Sequence, residues 1–218
     1  EKEQELCNKY PVYLWERLEY YLQMITPLPP KFEPGERFGY SNAGFIMLGL
    51  VIEAVSGMSY QQFVTDHIIV PLKLKHTGFY RMDALPANTA LGYIEDTSSG
   101  LMRTNIYSLP VLGGSDGGLY TCAGDLDILW RAVFTGRILS EEMLQAFLKS
   151  HVTRKEGSSY GLGIYRNDIQ GHTFYYAVGG DFGVDFFTSY FPEHKITASA
   201  LGNTELNTYP LLDALFSE

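Results

Sequence analysis

The sequence predicts an α+β domain in which a helix-rich first part precedes an antiparallel sheet. Apolar residues recur at helical spacing in several segments before residue 150, whereas β-branched and aromatic residues gather in short runs divided by turn residues from Tyr160 onward. Helices and strands are therefore grouped rather than alternating, which argues against a parallel α/β sheet. At 218 residues and 45% hydrophobic, the chain can bury one sizeable core. Residues 1–218 are read as a single domain, with 1–150 mainly helical and 151–218 carrying antiparallel strands and a C-terminal helix.

The elements follow in order. Leu14, Leu18, Tyr21, Leu22 and Ile25 form one helical face after Pro11, and Pro27, Pro29 and Pro30 stop it. Asn42 is expected as N-cap of a helix carrying Phe45, Leu48, Val51, Ile52 and Val55, with Gly57 in its C-terminal left-handed position. Ser59 and Gln62 have capping-box spacing for the next helix, which Pro71 ends. Leu126, Leu129, Trp130 and Val133 mark a further apolar face closed by Gly136, and Ser140 can cap a helix bearing Leu144, Phe147 and Leu148. Strands are expected at Tyr160–Tyr165, His172–Val178, Val184–Phe191 and Ile196–Leu201, with Asn167-Asp168, Gly179-Gly180 and Glu193-His194 as turn residues between or beside them. Pro210–Phe216 could add a terminal helix.

Composition removes several function classes. Sixteen basic against twenty-five acidic residues give a net charge of −9 with no basic run, so nucleic acid and anionic membranes are poor partners. Cys7 and Cys122 are too few for a disulfide framework and too far apart for a metal site. No apolar segment reaches the roughly eighteen residues that span a bilayer. His67, His76, His151, His172 and His194 occur singly, without the pairs of zinc-dependent hydrolases. Gly113 to Gly118 lacks the lysine of a phosphate loop and reads as a turn, and nothing else calls for a cofactor.

Tyr40-Ser41-Asn42 is the motif that carries chemistry. It follows the Pro34-Gly35-Glu36 turn and leads into the apolar stretch Phe45 to Val55, so a phenol, a hydroxyl and a carboxamide stand at the mouth of a helix. The run from Pro34 through Gly57 resembles the Tyr-x-Asn element of the serine β-lactamase-like proteins, which include class C β-lactamases, D-Ala-D-Ala carboxypeptidases and penicillin-binding proteins. Two further segments are similar to that family. Pro71-Leu72-Lys73-Leu74-Lys75-His76-Thr77-Gly78-Phe79 looks like its "Pro-Leu-Gly-Met-x-x-Thr-x-Phe" stretch, and Gly117 to Leu126 looks like "Gly-Gly-Leu-x-Ser-Thr-x-x-Asp-Leu", whose threonine can cap a helix.

The resemblance implies a β-lactamase/transpeptidase-like fold, incomplete at its N-terminus. It also implies a nucleophilic Ser-x-x-Lys, yet no serine in these 218 residues is followed three places on by a lysine. The expectation is a chain that starts late. The family's third element, a His or Lys before a small residue and Gly on a cleft-lining strand, falls within Tyr176 to Gly183. One alignment of Gly179-Gly180-Asp181 puts Ala177 at the cationic position, and a shift by one puts Val178 there. His172 reads instead as a solvated residue at a strand start.

By resemblance, Tyr40 and Asn42 are the catalytic positions, and Ser41, Ala177, Val178, Gly179, Gly180 and Asp181 are substrate-binding positions. A phenol with an ordinary pKa of about 10 acts as a base near neutrality only beside cations, and both family cations are missing, so Tyr40 is expected neutral and the isolated chain inactive. Asn42 would bind a substrate amide, serve as an N-cap, or do both. Two other readings stay open: a non-catalytic ligand-binding or regulatory module on the same fold, and an α/β-hydrolase in which Gly39-Tyr40-Ser41-Asn42-Ala43 approximates a nucleophile elbow with Ser41 attacking. The expected partner is a small-molecule or peptide-like ligand, with self-association or pairing to an N-terminal segment through an uncovered sheet edge. The resemblance implies a bacterial extracytoplasmic setting.

Overall fold

The β-rich runs after residue 150 form one antiparallel sheet of six strands in chain order. The computed structural model describes residues 9–155, 157–205 and 208. Its strands are a hairpin of β1 (Tyr93–Asp96) and β2 (Leu101–Thr104), then β3 (Val152–Lys155), β4 (Ser158–Tyr160), β5 (Tyr165–Ile169), β6 (His172–Asp181), β7 (Val184–Phe191) and β8 (Ile196–Gly202). The helices are α1 (Leu22–Ile25), α2 (Asn42–Ser56), α3 (Tyr60–Val64), α4 (Val70–Leu72), α5 (Ala123–Phe134) and α6 (Glu141–Leu148). A π-helical turn, Thr65–Ile69, joins α3 to α4. The chain divides into two units: residues up to 71 with 77–91 and 104–120, and residues 72–76 with 92–103 and everything from 121.

In the first unit Leu18 and Ile46 are almost fully buried, and Val12, Trp15, Ile69 and Val111 are buried too. Gly49 on the buried face of α2 lets the loop that carries Ser115 approach, since a Cβ there would overlap the Ser115 side chain and Leu18. That loop is closed by Gly114 N–H donating to Gly117 O (2.8 Å) and tied to α3 by Gln61 Nε2 donating to Gly113 O (2.8 Å). The opposite face of α2 leaves Met47, Leu48, Val51 and Val55 exposed.

In the second unit, alternation along β6 and β7 builds two apolar layers. Phe174 and Tyr176 pack with Phe187 and Phe191 on one face, joined by Val178. On the other face Tyr190 meets Trp130 and Ile164, with Phe134 and Tyr175 against them. Trp130 Nε1 donates to Thr188 Oγ1 at 2.9 Å, which satisfies the indole inside the core.

Several expectations need correction. The segment Leu14 to Ile25 is broken into the 3-10 turns Val12–Leu14 and Leu18–Tyr21 followed by α1, because Trp15 and Leu18 both turn inward while Leu14 stays exposed. Tyr160–Tyr165 is two strands separated by Gly161 to Ile164. Asn167-Asp168 lies inside β5; the turn is Gln170-Gly171, whose φ angles of 52° and 83° suit a tight hairpin. Gly179-Gly180 likewise belongs to β6, and the chain reverses at Phe182-Gly183. A Cβ at Gly179 would overlap the Phe186 ring across the ladder, so the glycine makes room for that ring. Strands β1, β2 and β3 carry too little alternation to be read from sequence. Cys7 and Pro210–Phe216 lie outside the described residues.

Candidate functional site

The chain reaches Tyr40 through turns, not a strand. Glu36 Oε2 accepts the Glu33 N–H at 3.0 Å, and the Arg37 guanidinium lies 4.5 Å from the Phe32 ring centroid. Tyr40 is 47% exposed, and its ring centroid is 5.7 Å from that of Phe45, one turn into α2. Ser41 takes the extended N-cap conformation (φ −150°, ψ 115°), and its Oγ accepts the Gly44 N–H at 3.2 Å. Asn42 is the first helical residue and is exposed. The expectation that Asn42 caps this helix is therefore corrected: Ser41 does so, and the Asn42 carboxamide takes no part in the cap. The nucleophile-elbow reading falls with it. An elbow needs a strand entering the serine and a parallel sheet, whereas Ser41 follows irregular backbone and the six-stranded sheet is antiparallel throughout.

Ala177, Val178, Gly179, Gly180 and Asp181 all lie on β6, in the second unit. The ladder pairs Ala177 with Thr188, Val178 with Phe187, Gly179 with Phe186, Gly180 with Asp185 and Asp181 with Val184. Alternation separates the two alignments of the third element: Val178 joins the Phe174 and Tyr176 cluster, and Ala177 faces the opposite side with Tyr175. Asp181 Oδ1 accepts the Phe182 N–H at 2.8 Å and so shapes its own turn. From Ala177 to Gly180 no side chain can carry charge.

Among the other tyrosines, burial pushes the Tyr60 phenol above its ordinary value, with Asp116 adding to the effect, and burial does the same to Tyr120. Both are held protonated. An open depression lined by Glu16, Glu53, Ser59 and neighbours lies at the far end of α2 and contains none of Tyr40, Ser41 or Asn42. One grouping is invisible to sequence spacing: His172 and His194, twenty-two residues apart, have ring nitrogens 3.3 Å from each other. Only the β6–β7 register could have revealed it.

Compared with known proteins, the chain matches the Beta-lactamase family model over residues 4–215. It superimposes on a crystal structure of a penicillin-binding protein from Bacillus halodurans with TM-score 0.93 and 37% identity, covering 99% of this chain and 67% of that one. An octameric penicillin-binding protein homologue from Pyrococcus abyssi is 27% identical with TM-score 0.76, over 89% of this chain and 45% of that one. A teichoic acid D-alanine hydrolase from Staphylococcus aureus (strain NCTC 8325 / PS 47) is 30% identical over 171 residues, 77% of this chain and 41% of the hydrolase. The chain spans between 12% and 42% of the length of the first curated relatives it matches.

Proposed function

This chain belongs to the β-lactamase family, and we propose that it is the substrate-orienting part of a penicillin-binding-protein-type serine hydrolase acting on β-lactams, D-amino-acid peptides or D-alanyl esters. The observation that carries this reading is the division of labour at the start of α2. Ser41 is occupied by the cap, while Tyr40 and Asn42 are exposed on either side of it. In this reading Tyr40 exchanges a hydrogen bond with the reacting group and Asn42 binds the substrate amide. The substrate classes rest on relatives named for penicillin binding and for D-alanine removal from teichoic acid.

Acyl transfer also needs an activated nucleophile, and none of these residues forms a Ser-x-x-Lys. Loss of a serine nucleophile costs on the order of a million-fold in a serine protease, so these 218 residues alone are inactive in this reading. Nitrocefin turnover and labelling by a fluorescent penicillin both test it. Neither signal should rise above a denatured control, and stoichiometric covalent labelling of any serine would overturn the inactivity. Reversible binding of D-alanyl-D-alanine should weaken about 2- to 10-fold in Tyr40→Phe or Asn42→Ala, the worth of one hydrogen bond. Equal affinity in all three proteins would remove both residues from the site.

The uncharged side chains of Ala177 and Val178 favour a second reading, in which the fold serves as a binding or regulatory module. It predicts ligand binding without an acyl-enzyme even when a Ser-x-x-Lys segment is supplied. Self-association belongs to either reading. Among the described residues β8 pairs only with β7, and the Met47, Leu48, Val51 and Val55 stripe of α2 is exposed. The octameric relative adds support.

A further inference from the structure

We propose that His172, Glu193 and His194 form a binding site for a first-row divalent cation, Zn²⁺ in the first place, that clips the start of β6 to the β7–β8 turn. His172 Nδ1 and His194 Nε2 are 3.3 Å apart, and Glu193 Oε2 is 3.9 Å from His194 Nε2. One ligand atom from each of the three residues lies within 4.8 Å of the other two. Two imidazole nitrogens bound to one tetrahedral zinc at roughly 2.0–2.1 Å must stand about 3.3 to 3.4 Å apart, the spacing found here. A hydrogen bond between the rings would explain two of the groups and leave the carboxylate beside them without a reason. Two nitrogens and one oxygen, with no thiolate, suit zinc, copper or nickel and leave a fourth position for water.

The ligands come from two fastened turns, so little ordering remains for the metal to impose. His172 begins β6 directly after the Gln170-Gly171 reversal and pairs with Ile169. The β6–β7 ladder runs to the pair Tyr175 and Tyr190, which brings the start of β6 alongside the β7–β8 turn. In the β7–β8 turn, His194 N–H donates to Phe191 O at 3.2 Å. Arg131 Nη2 donates to Lys195 O at 3.1 Å, tying this turn to α5. The site uses none of the residues assigned to hydrolysis, so it stands or falls independently of that reading.

The test is calorimetric titration of Zn²⁺ into the untagged chain, paired with thermal unfolding. Wild type should bind one equivalent with micromolar or tighter affinity, and its Tm should rise by roughly 5–10 °C at a zinc concentration a hundredfold above Kd. His194→Ala and His172→Ala should each weaken binding at least tenfold and abolish the Tm rise, with Glu193→Gln causing a smaller loss. His194 sits on an exposed turn, so its variant reports even where His172→Ala does not fold. No binding below a millimolar, or unchanged binding in His194→Ala, would overturn the proposal.

Discussion

Replacing Thr188 by valine should destabilise the second unit by about 2 kcal/mol, although the two side chains have nearly the same shape. Thr188 is 3% exposed and pairs with Ala177 across the β6–β7 ladder. Its Oγ1 accepts from Trp130 Nε1 at 2.9 Å and lies 2.7 Å from Ser199 Oγ. Since the indole can only donate, Thr188 Oγ1 is its acceptor, while either hydroxyl can donate in the bond between Thr188 and Ser199. Valine adds a methyl where the hydroxyl was and leaves the Trp130 N–H buried without an acceptor. An orphaned buried donor costs about 1–3 kcal/mol, which exceeds the roughly 1 kcal/mol that the bond itself contributes. For a domain of this size 2 kcal/mol corresponds to a Tm lower by about 4–8 °C. Far-UV circular dichroism during urea and thermal unfolding reads this without relying on Trp130 emission. A cycle with Trp130→Phe isolates the pair: in the phenylalanine background Thr188→Val should cost about 1 kcal/mol less. A Tm within a degree of wild type, or equal costs in both backgrounds, would refute the hydrogen-bonded chain.

Three further expectations follow from the same geometry. Ser41, Ser59 and Ser140 each cap a helix with an Oγ 3.2 Å from a backbone N–H, whereas Cys122 holds the N-cap of α5 in extended conformation with no side-chain bond. Cys122→Ser should therefore stabilise by about 1 kcal/mol, seen as a higher urea midpoint; a lower midpoint would contradict it. The Asp127 carboxyl is held below the ordinary carboxylate range, chiefly by its hydrogen bonds from Arg131, with Thr197 adding to them. A depressed folded pKa contributes stability that is present above the ordinary value of about 3.9 and is lost as pH falls through the folded value. Asp127→Asn should accordingly lower the urea midpoint at pH 7 and converge with wild type in more acidic solution; a gap that widens on acidification would reverse the sign. Finally, Val51→Glu on the exposed α2 stripe should shift sedimentation toward monomer, and a wild-type chain already monomeric at tens of micromolar would remove this surface from assembly.

Local chemistry was legible in the sequence wherever one residue settles one backbone feature. The serine caps at Ser59 and Ser140, the left-handed Gly57, the helix stop at Gly136, the full extent of β7 and all of β8 but its last residue are of this kind, because capping, turn formation and alternation act over a few residues. The Tyr-x-Asn segment and its two companions likewise pointed to the family, since each can be read as a short contiguous string. Tertiary packing decided the rest. Whether Ser41 or Asn42 caps α2 differs by one residue of backbone rotation, and the close approach of Gly49 to Leu18 and Ser115 fixes that rotation. Gly179-Gly180 has turn composition, yet the Phe186 ring across the ladder makes it strand. His172 and His194 look solitary until the strand register sets them side by side. Composition and spacing specify what a residue can do; which partners it meets depends on long-range pairing, and that exists only once the chain has folded.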